Sequence, residues 1–368
     1  MNALSLQSGE RLVFALRSLF DRNGYARYKM NKFEEYDLYA RNKDFLVSDS
    51  VITFTDTNGR LMALKPDVTL SIVKNTRDEA TVQKLYYNES VYRVSKGSRT
   101  FREITQVGLE AIGSVDDYTI TEVLRLAAES LRCTERNCVL ELSHLGLLSE
   151  VLAYAGIPRD EEAQVFRCIG EKNPHELTAL CRRLGLEDEK TELLRALIAL
   201  SGRPEKVLPE LQTLLGGIVS PAVLSCFTDT VSVLQAGPGA EMLRIDFSVV
   251  SDVRYYNGFV FKGFAEGVPS SILSGGQYDT LMDKMKRKSR AIGFAVYLDV
   301  LEQFSTDGGR GVDDLILYDD TVTPLQIQAQ AAKSQAAGRS VLVQRQKPEN
   351  IVCERIITMR NGEVVTDA

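Results

Sequence analysis

The hydrophobic pattern of the chain switches between two periods. Near the start, Leu12, Leu16, Leu19 and Phe20 recur at helical spacing and Asn23-Gly24 supplies a helix end, so residues 10–21 are expected to be helical. Residues 51–64, VITFTDTNGRLMAL, alternate as strands do and predict a hairpin turning at Asn58-Gly59, a dipeptide that tolerates the positive φ of a tight primed turn. The stretch KPDVTLSIVKN then predicts a helix with Pro66 and Asp67 in its first turn. Two longer strands follow, VQKLYYNESVYRV and FREITQVGLEAIG. In the second, Thr105, Val107, Leu109 and Ala111 share one face, apolar enough to be core, while Ile104, Gln106, Gly108 and Glu110 share the other. Pattern alone leaves that second face either solvated or a binding face, with open space above Gly108.

Further on, residues 117–132 form an amphipathic helical pattern, and CVLELSHLGLL reads as a strand entering a helix capped by Ser143. From 147 to 238 the pattern is almost wholly helical, an inserted module punctuated by Gly and Pro. Strands resume at EMLRIDFSVVSD and RYYNGFVFKGFAEG, a glycine pair stands in SGGQYDTL, and RAIGFAVYLDVLEQF reads as a strand running into a helix. DGGRG at 307–311 has linker composition. Residues 312–368 predict strand, helix, strand and a hairpin at Asn361-Gly362. The whole is an α+β pattern: a mostly antiparallel sheet flanked and interrupted by helices. The expected division is 1–146 and 239–306 as two parts of one core, 147–238 as the helical insertion, and 312–368 as a small C-terminal α/β domain.

Composition narrows the chemistry. The formal charge is −6, with both signs scattered over 368 residues. A local exception is the Gly-Ser loop around Arg93, Lys96, Arg99 and Arg102. The N-terminus lacks a basic secretory n-region, and no apolar run approaches the ~18 to 20 residues of a membrane span. The six dispersed cysteines contain no C-x-x-C pair, which predicts free thiols in a reducing cytosol. Neither histidine, His144 or His175, has a second ligand at metal-site spacing, so no metal is expected, and His144, just before an apolar run, reads as structural. There is no dinucleotide fingerprint, no Walker lysine loop, no nucleophile elbow and no Cys–His pair, so no cofactor is expected.

The order of features carries more than any one of them. A hairpin and LKPDVT, an arginine loop and FREITQVGLE, a helical insertion, then DVRYYNGFVF, GGQYD and AIGFAVYLD follow one another. This series resembles the catalytic core of histidyl-tRNA synthetase, a class II aminoacyl-tRNA synthetase, over roughly residues 10 to 305. The resemblance implies a histidine-binding set: Asp67 and Thr69 from LKPDVT, Gln106 and Glu110 from the polar strand face, and the pair Tyr255 and Tyr256 at the imidazole side. Such a set suits an amino acid, whose cation needs carboxylates and whose ring nitrogens need hydrogen bonds in a partly desolvated pocket.

The departures are chemical rather than random. Glu34 matches the first family motif, but Asn31 stands for its proline. Where the enzymes read arginine-proline-glutamate-glycine, Lys65, Pro66, Asp67 and Val68 stand. Arg93 is kept, whereas Ser95 replaces the adenine-recognising glutamate. Ser251, Gln277 and Asp299-Val300 stand where arginines or a glutamate-arginine pair are expected. Adenylation builds negative charge that needs fixed cations, each worth about 10²- to 10³-fold in rate. The resemblance therefore narrows to the branch of this family that does not aminoacylate, the regulatory subunits of ATP phosphoribosyltransferase. That branch implies no catalysis by this chain alone, a short-form catalytic subunit as partner, histidine as effector, a homodimer within a hetero-oligomer, and no tRNA. Arg93 and Arg102 would then be either a relic phosphate site or a partner contact. An active divergent synthetase, or a histidine-binding module with another partner, are the alternatives.

Overall fold

A computed structural model describes residues 8–42, 51–79, 81–94, 100–250, 255–304, 311–349 and 351–366. The chain divides into two compact units, Met1–Phe304 and Ser305–Ala368.

The first unit opens with α1 (Ser8–Arg22), β1 (Ala26–Arg27), β2 (Phe33–Glu35), α2 (Tyr36–Arg41), β3 (Thr53–Thr55), β4 (Leu61–Leu64) and α3 (Thr69–Asn75). Two long strands, β5 (Gln83–Val94) and β6 (Phe101–Gly113), lead to α4 (Asp117–Arg132) and β7 (Cys138–His144). Helices α5 (Leu145–Ala155), α6 (Glu162–Gly170), α7 (Pro174–Arg183) and α8 (Asp188–Ala199) follow, then β8 (Ser201–Gly202), α9 (Pro204–Leu215) and α10 (Pro221–Gln235). The unit closes with β9 (Leu243–Asp246), β10 (Phe259–Ala265), β11 (Leu273–Gln277), α11 (Asp279–Lys284), β12 (Arg290–Tyr297) and α12 (Leu298–Gln303).

One nine-stranded sheet organises this unit, in the order β1-β5-β6-β12-β11-β10-β7-β9-β8. All its pairings are antiparallel except β1 with β5 and β7 with β9. The apolar face of β6 is core as its alternation requires: Val107, Leu109 and Ala111 are fully buried against Leu16, Phe20, Leu124 and Leu126 of α1 and α4. The same apolar cluster continues through Val165, Leu177, Leu194 and Phe227, so the helices α6 to α10 and the sheet share one core. A second, smaller cluster built around Val68, Ile72, Tyr87, Tyr255 and Tyr278 includes Ile104 at its margin. β2, β4 and β3 form a separate three-stranded sheet.

Several local expectations are corrected. The hairpin of β3 and β4 turns through a longer loop than a two-residue primed turn. The Asp56 carboxylate accepts the Asn58 and Arg60 amides at 2.8 Å, the Gly59 amide donates to Asp56 O, and only Gly59 takes a positive φ, +79°. Pro66 and Asp67 stand before α3 rather than in its first turn. Asp67 Oδ1 accepts the Leu70 N–H at 2.8 Å and so caps the helix from outside. At α5 the cap is His144, whose Nδ1 accepts the Leu147 N–H at 3.1 Å; Ser143 Oγ is buried without a partner. The His144 ring lies edge-on to Phe259, and burial pushes it down to about 4, so it caps as the neutral imidazole. Arg254, where a strand was expected to begin, lies outside the described residues; among those that follow it, the strand begins at Phe259.

The second unit carries β13 (Gly311–Tyr318), α13 (Pro324–Ala336), β14 (Val341–Gln344), β15 (Val352–Arg360) and β16 (Glu363–Thr366), in the sheet order β14-β13-β15-β16. The Asn361-Gly362 hairpin is present, with φ of +50° and +80°. Asp314 is buried. That burial alone would raise its carboxyl, but hydrogen bonds from Arg355, Ser334 and Arg339 hold it at about 2. The linker stretch expected at 307–311 lies outside the described residues apart from Gly311.

Candidate functional site

The polar face of β6 is not solvated. Gln106 and Glu110 are both buried, pointing away from the main core toward the smaller cluster. Register explains what surrounds them. Glu110 faces Leu85 on β5 and Gly293 on β12, Gly108 faces Tyr87 and Ala295, and Gln106 faces Glu89 and Tyr297. The space over Gly108 is filled rather than open: a Cβ there would stand 2.4 Å from the Tyr87 hydroxyl. At Gly293 the room is taken by Glu110 itself, whose Oε2 would lie 1.8 Å from an added Cβ. Two glycines, one on each of two neighbouring strands, thus let a carboxylate and a tyrosine lie in the sheet surface.

Glu110 is the centre of the group. Thr69, the first residue of α3, donates Oγ1–H to Glu110 Oε1 at 3.0 Å, and Tyr278, just past β11, donates its hydroxyl to Oε2 at 2.7 Å. Burial raises the Glu110 carboxyl to about 8, against these two hydrogen bonds, and the nearby Asp67 carboxylate pushes it the same way. Asp67 is itself raised by burial, against the Leu70 amide and the positive charge of Arg93. Arg93 reaches the same segment, donating Nε–H to the Pro66 carbonyl at 3.0 Å.

The tyrosine pair sits in a turn ahead of β10, not on a strand, and its rings do not part to opposite faces. They meet at 4.7 Å, and Tyr255 lies 5.8 Å from the Tyr278 ring and is hydrogen-bonded to Thr69. Tyr255 belongs to the smaller cluster, whereas Tyr256 is half-buried, its ring 2.6 Å from where a Cβ on Gly276 would be. Of the sequence-predicted residues, the structure therefore gathers Asp67, Thr69, Glu110, Tyr255 and Tyr256, with Gln106 on the same buried strand face and Arg93 at the edge. Arg102, opposite Arg93 in the hairpin, is exposed. Lys96, Arg99, Ser95 and Ser251 lie outside the described residues. Tyr278, Tyr87 and Gly293 were not singled out by the sequence reasoning. The signal for Tyr278 was its place right after the SGGQ strand end, and for the other two only cross-strand register could reveal them.

The substituted positions are built into the fold. Gln277, where an arginine was expected, turns inward: its Oε1 accepts the Phe259 N–H at 2.7 Å and fills the space over Gly258. Lys65 is fully buried and pairs with Glu89 at 2.9 Å. Burial lowers the lysine while Glu89 opposes that shift. Asp299 at the start of α12 is raised by burial and has one buried oxygen without a partner. Returning the family residue should therefore harm rather than restore. Gln277→Arg is expected to cost about 1 to 3 kcal/mol by overpacking and loss of the Phe259 contact, read as a lowered denaturation midpoint.

The pocket thus carries two buried acids, hydroxyls and aromatic rings, with the Arg93 guanidinium at its margin. Such a site favours a small organic cation. The nine-stranded, mainly antiparallel sheet with its helical insertion is the fold of class II aminoacyl-tRNA synthetase catalytic cores. The chain belongs to the histidyl-tRNA synthetase family, whose model matches residues 5–301. Among curated relatives it is 26% identical to the ATP phosphoribosyltransferase regulatory subunit of Oceanobacillus iheyensis, covering 81% of this chain and 74% of that one. It is 27% identical to the histidine–tRNA ligase of Methanocaldococcus jannaschii, covering 85% and 74%. Among solved structures, a Bacillus halodurans protein described as an ATP phosphoribosyltransferase regulatory subunit/histidyl-tRNA synthetase superposes with a TM-score of 0.75 at 22% identity over 94% of this chain and 93% of that one. A chain of the ATP phosphoribosyl transferase complex of Thermotoga maritima superposes with a TM-score of 0.63 at 20% identity over 79% and 97%.

Proposed function

We propose that this chain is a regulatory subunit of ATP phosphoribosyltransferase. In this reading it binds histidine in the Glu110 pocket and transmits that signal to a short-form catalytic subunit at the first step of histidine biosynthesis. The observation that carries the reading is the contrast inside one fold. The amino-acid side of the site is assembled around Glu110, Thr69 and Tyr278, while Gln277, at a position where a synthetase places an arginine, is spent on the backbone of β10. The curated relatives named as regulatory subunits support the same reading. Asp67, Thr69, Gln106, Glu110, Tyr255 and Tyr256 are the proposed histidine contacts, joined by Tyr278. Arg93 is the proposed anion or partner contact, with the exposed Arg102 beside it. The chain performs no aminoacylation in this reading, and tRNA is not a partner.

The work is assigned to the reducing cytosol, in keeping with six unpaired cysteines. No helix among the described residues is long and apolar enough to cross a membrane. The test is twofold: co-elution of the full chain with a short-form catalytic subunit, and an ATP–pyrophosphate exchange assay with histidine. Co-elution without exchange supports the reading; exchange activity at a synthetase's rate contradicts it and favours the divergent enzyme.

A homodimer belongs to the same proposal. On the small sheet, Phe33 and Phe54 are exposed and meet edge to face at 5.1 Å, with their half-buried cross-strand partners Leu64 and Met62 on the same face. Burying such side chains is worth about 1.5 to 3 kcal/mol each, so an apolar face of this kind suits a second copy of the chain. Phe33→Glu combined with Phe54→Glu is expected to raise the dimer dissociation constant at least about 100-fold in sedimentation equilibrium.

A further inference from the structure

Tyr39 on α2 is wholly buried, and its hydroxyl has no hydrogen-bond partner among the described residues. A buried tyrosine ordinarily finds a partner, because an unmade bond there costs the full desolvation of the group. The Tyr39 ring belongs to the smaller apolar cluster, the one that also holds Val68, Tyr255 and Tyr278 around the Glu110 pocket. Burial raises the Tyr39 phenol far above its usual value, and the charges of Glu34 and Asp67 push it the same way. Yet the hydroxyl bonds neither carboxylate. Glu34 is committed to α3, accepting the Ser71 hydroxyl at 2.7 Å and the Lys74 ammonium at 3.1 Å. Asp67 turns Oδ1 to the Leu70 N–H at 2.8 Å.

A phenylalanine would fill the same space in the ligand-free protein without an orphaned oxygen, so an idle hydroxyl here only destabilises. The field of two acids selects what can satisfy it: a group that carries positive charge and N–H donors. Given the histidine reading of the pocket, on which this rests, we infer that Tyr39 is a further contact of the bound amino acid. Its oxygen accepts a hydrogen bond from the ligand's ammonium group on the Asp67 side. The contact exists only in the liganded state and makes the pocket select for ligands that bear the ammonium, because an analogue without it leaves the phenol buried and unpaired.

The test compares the full native chain with Tyr39→Phe, a change that keeps the ring and removes one oxygen. Calorimetric titrations use histidine and imidazolepropionate, which has the same ring and carboxylate but no ammonium, and the ligand-free thermal midpoint is read alongside. The expected result is histidine affinity lowered about tenfold, imidazolepropionate binding unchanged, and a midpoint equal to or above the native one. Undiminished histidine affinity overturns the inference, and a lowered midpoint with that outcome would give the hydroxyl a buried water as its partner instead. Equal losses for both ligands also overturn it, since they would show a change in the shape of the pocket. If the native chain binds no histidine, the histidine reading fails first and this contact with it, a result seen before the variant is made.

Discussion

Glu110→Gln is expected to make the ligand-free protein more stable while weakening histidine binding. The carboxyl is raised from 4.5 to about 8 because burial outweighs its hydrogen bonds from Thr69 and Tyr278. The folded pKa lies above the unfolded one, so this group's contribution to stability is fully present below about 4.5 and is lost as pH rises through about 8. At pH 7 to 8 the native carboxyl therefore holds a proton that the unfolded chain has released, and that difference disfavours folding. Glutamine removes the penalty and keeps an amide oxygen for the Tyr278 hydroxyl. A gain of about 1 to 3 kcal/mol at pH 8, vanishing near pH 4, is expected in urea titrations.

Binding should move the other way. A histidine cation beside Glu110 turns the buried acid into a counter-ion, and loss of that charge-assisted contact should cost about 2 to 3 kcal/mol, or 30- to 150-fold in affinity. The proton that leaves is itself measurable. Calorimetry at pH 7 in buffers of different ionisation enthalpy should register close to one proton released per histidine by the native protein, and none by the variant. Buffer-independent heats with the native protein would place the histidine cation elsewhere.

Gly293→Ala should do more damage from the neighbouring strand. The new Cβ would stand 1.8 Å from Glu110 Oε2 and 2.5 Å from the Leu109 carbonyl. That carbonyl belongs to the paired β6–β12 ladder and cannot retreat. The side chain must move out of the site or the strands must part. A destabilisation of about 1 to 3 kcal/mol is expected, together with loss of at least as much affinity as Glu110→Gln causes. Gly263→Ala is the control on the same sheet. Its Cβ would meet Leu131 and Leu273 rather than Glu110, so it should lower stability without touching histidine affinity. Equal affinity losses in both variants would mean that the effect comes from general loosening of the sheet.

These two residues also mark how far the chain can be read without its fold. The alternation in FREITQVGLEAIG placed Val107, Leu109 and Ala111 in the core and set Gln106 and Glu110 apart, because strand period is a local property. Whether the polar face met water was not local. It depended on β12 and the 255–278 region closing over it, and on register that brings Gly293 opposite Glu110. The place of Tyr278 after SGGQ was visible, but its bond to Glu110 was not, since 168 residues separate the two. Local chemistry misled where two candidates stood side by side. Ser143 is the better cap by propensity, yet it lies inside the sheet and the neutral His144 ring takes the helix amide. The tyrosine pair was read on a strand, whose geometry would send the rings apart. A turn sends both toward the same pocket. The hairpin at Asn361-Gly362, by contrast, is a two-residue event and appears as its sequence requires.

The measurement that bears most directly on the account is phosphoribosyl-ATP synthesis by a short-form catalytic subunit from the same genome, with and without this chain, across a histidine titration. The account predicts stimulation by the chain, inhibition as histidine rises, and an inhibition curve displaced to higher histidine by Glu110→Gln. Synthesis that is indifferent to the chain, or stimulated synthesis that histidine does not inhibit, would contradict it.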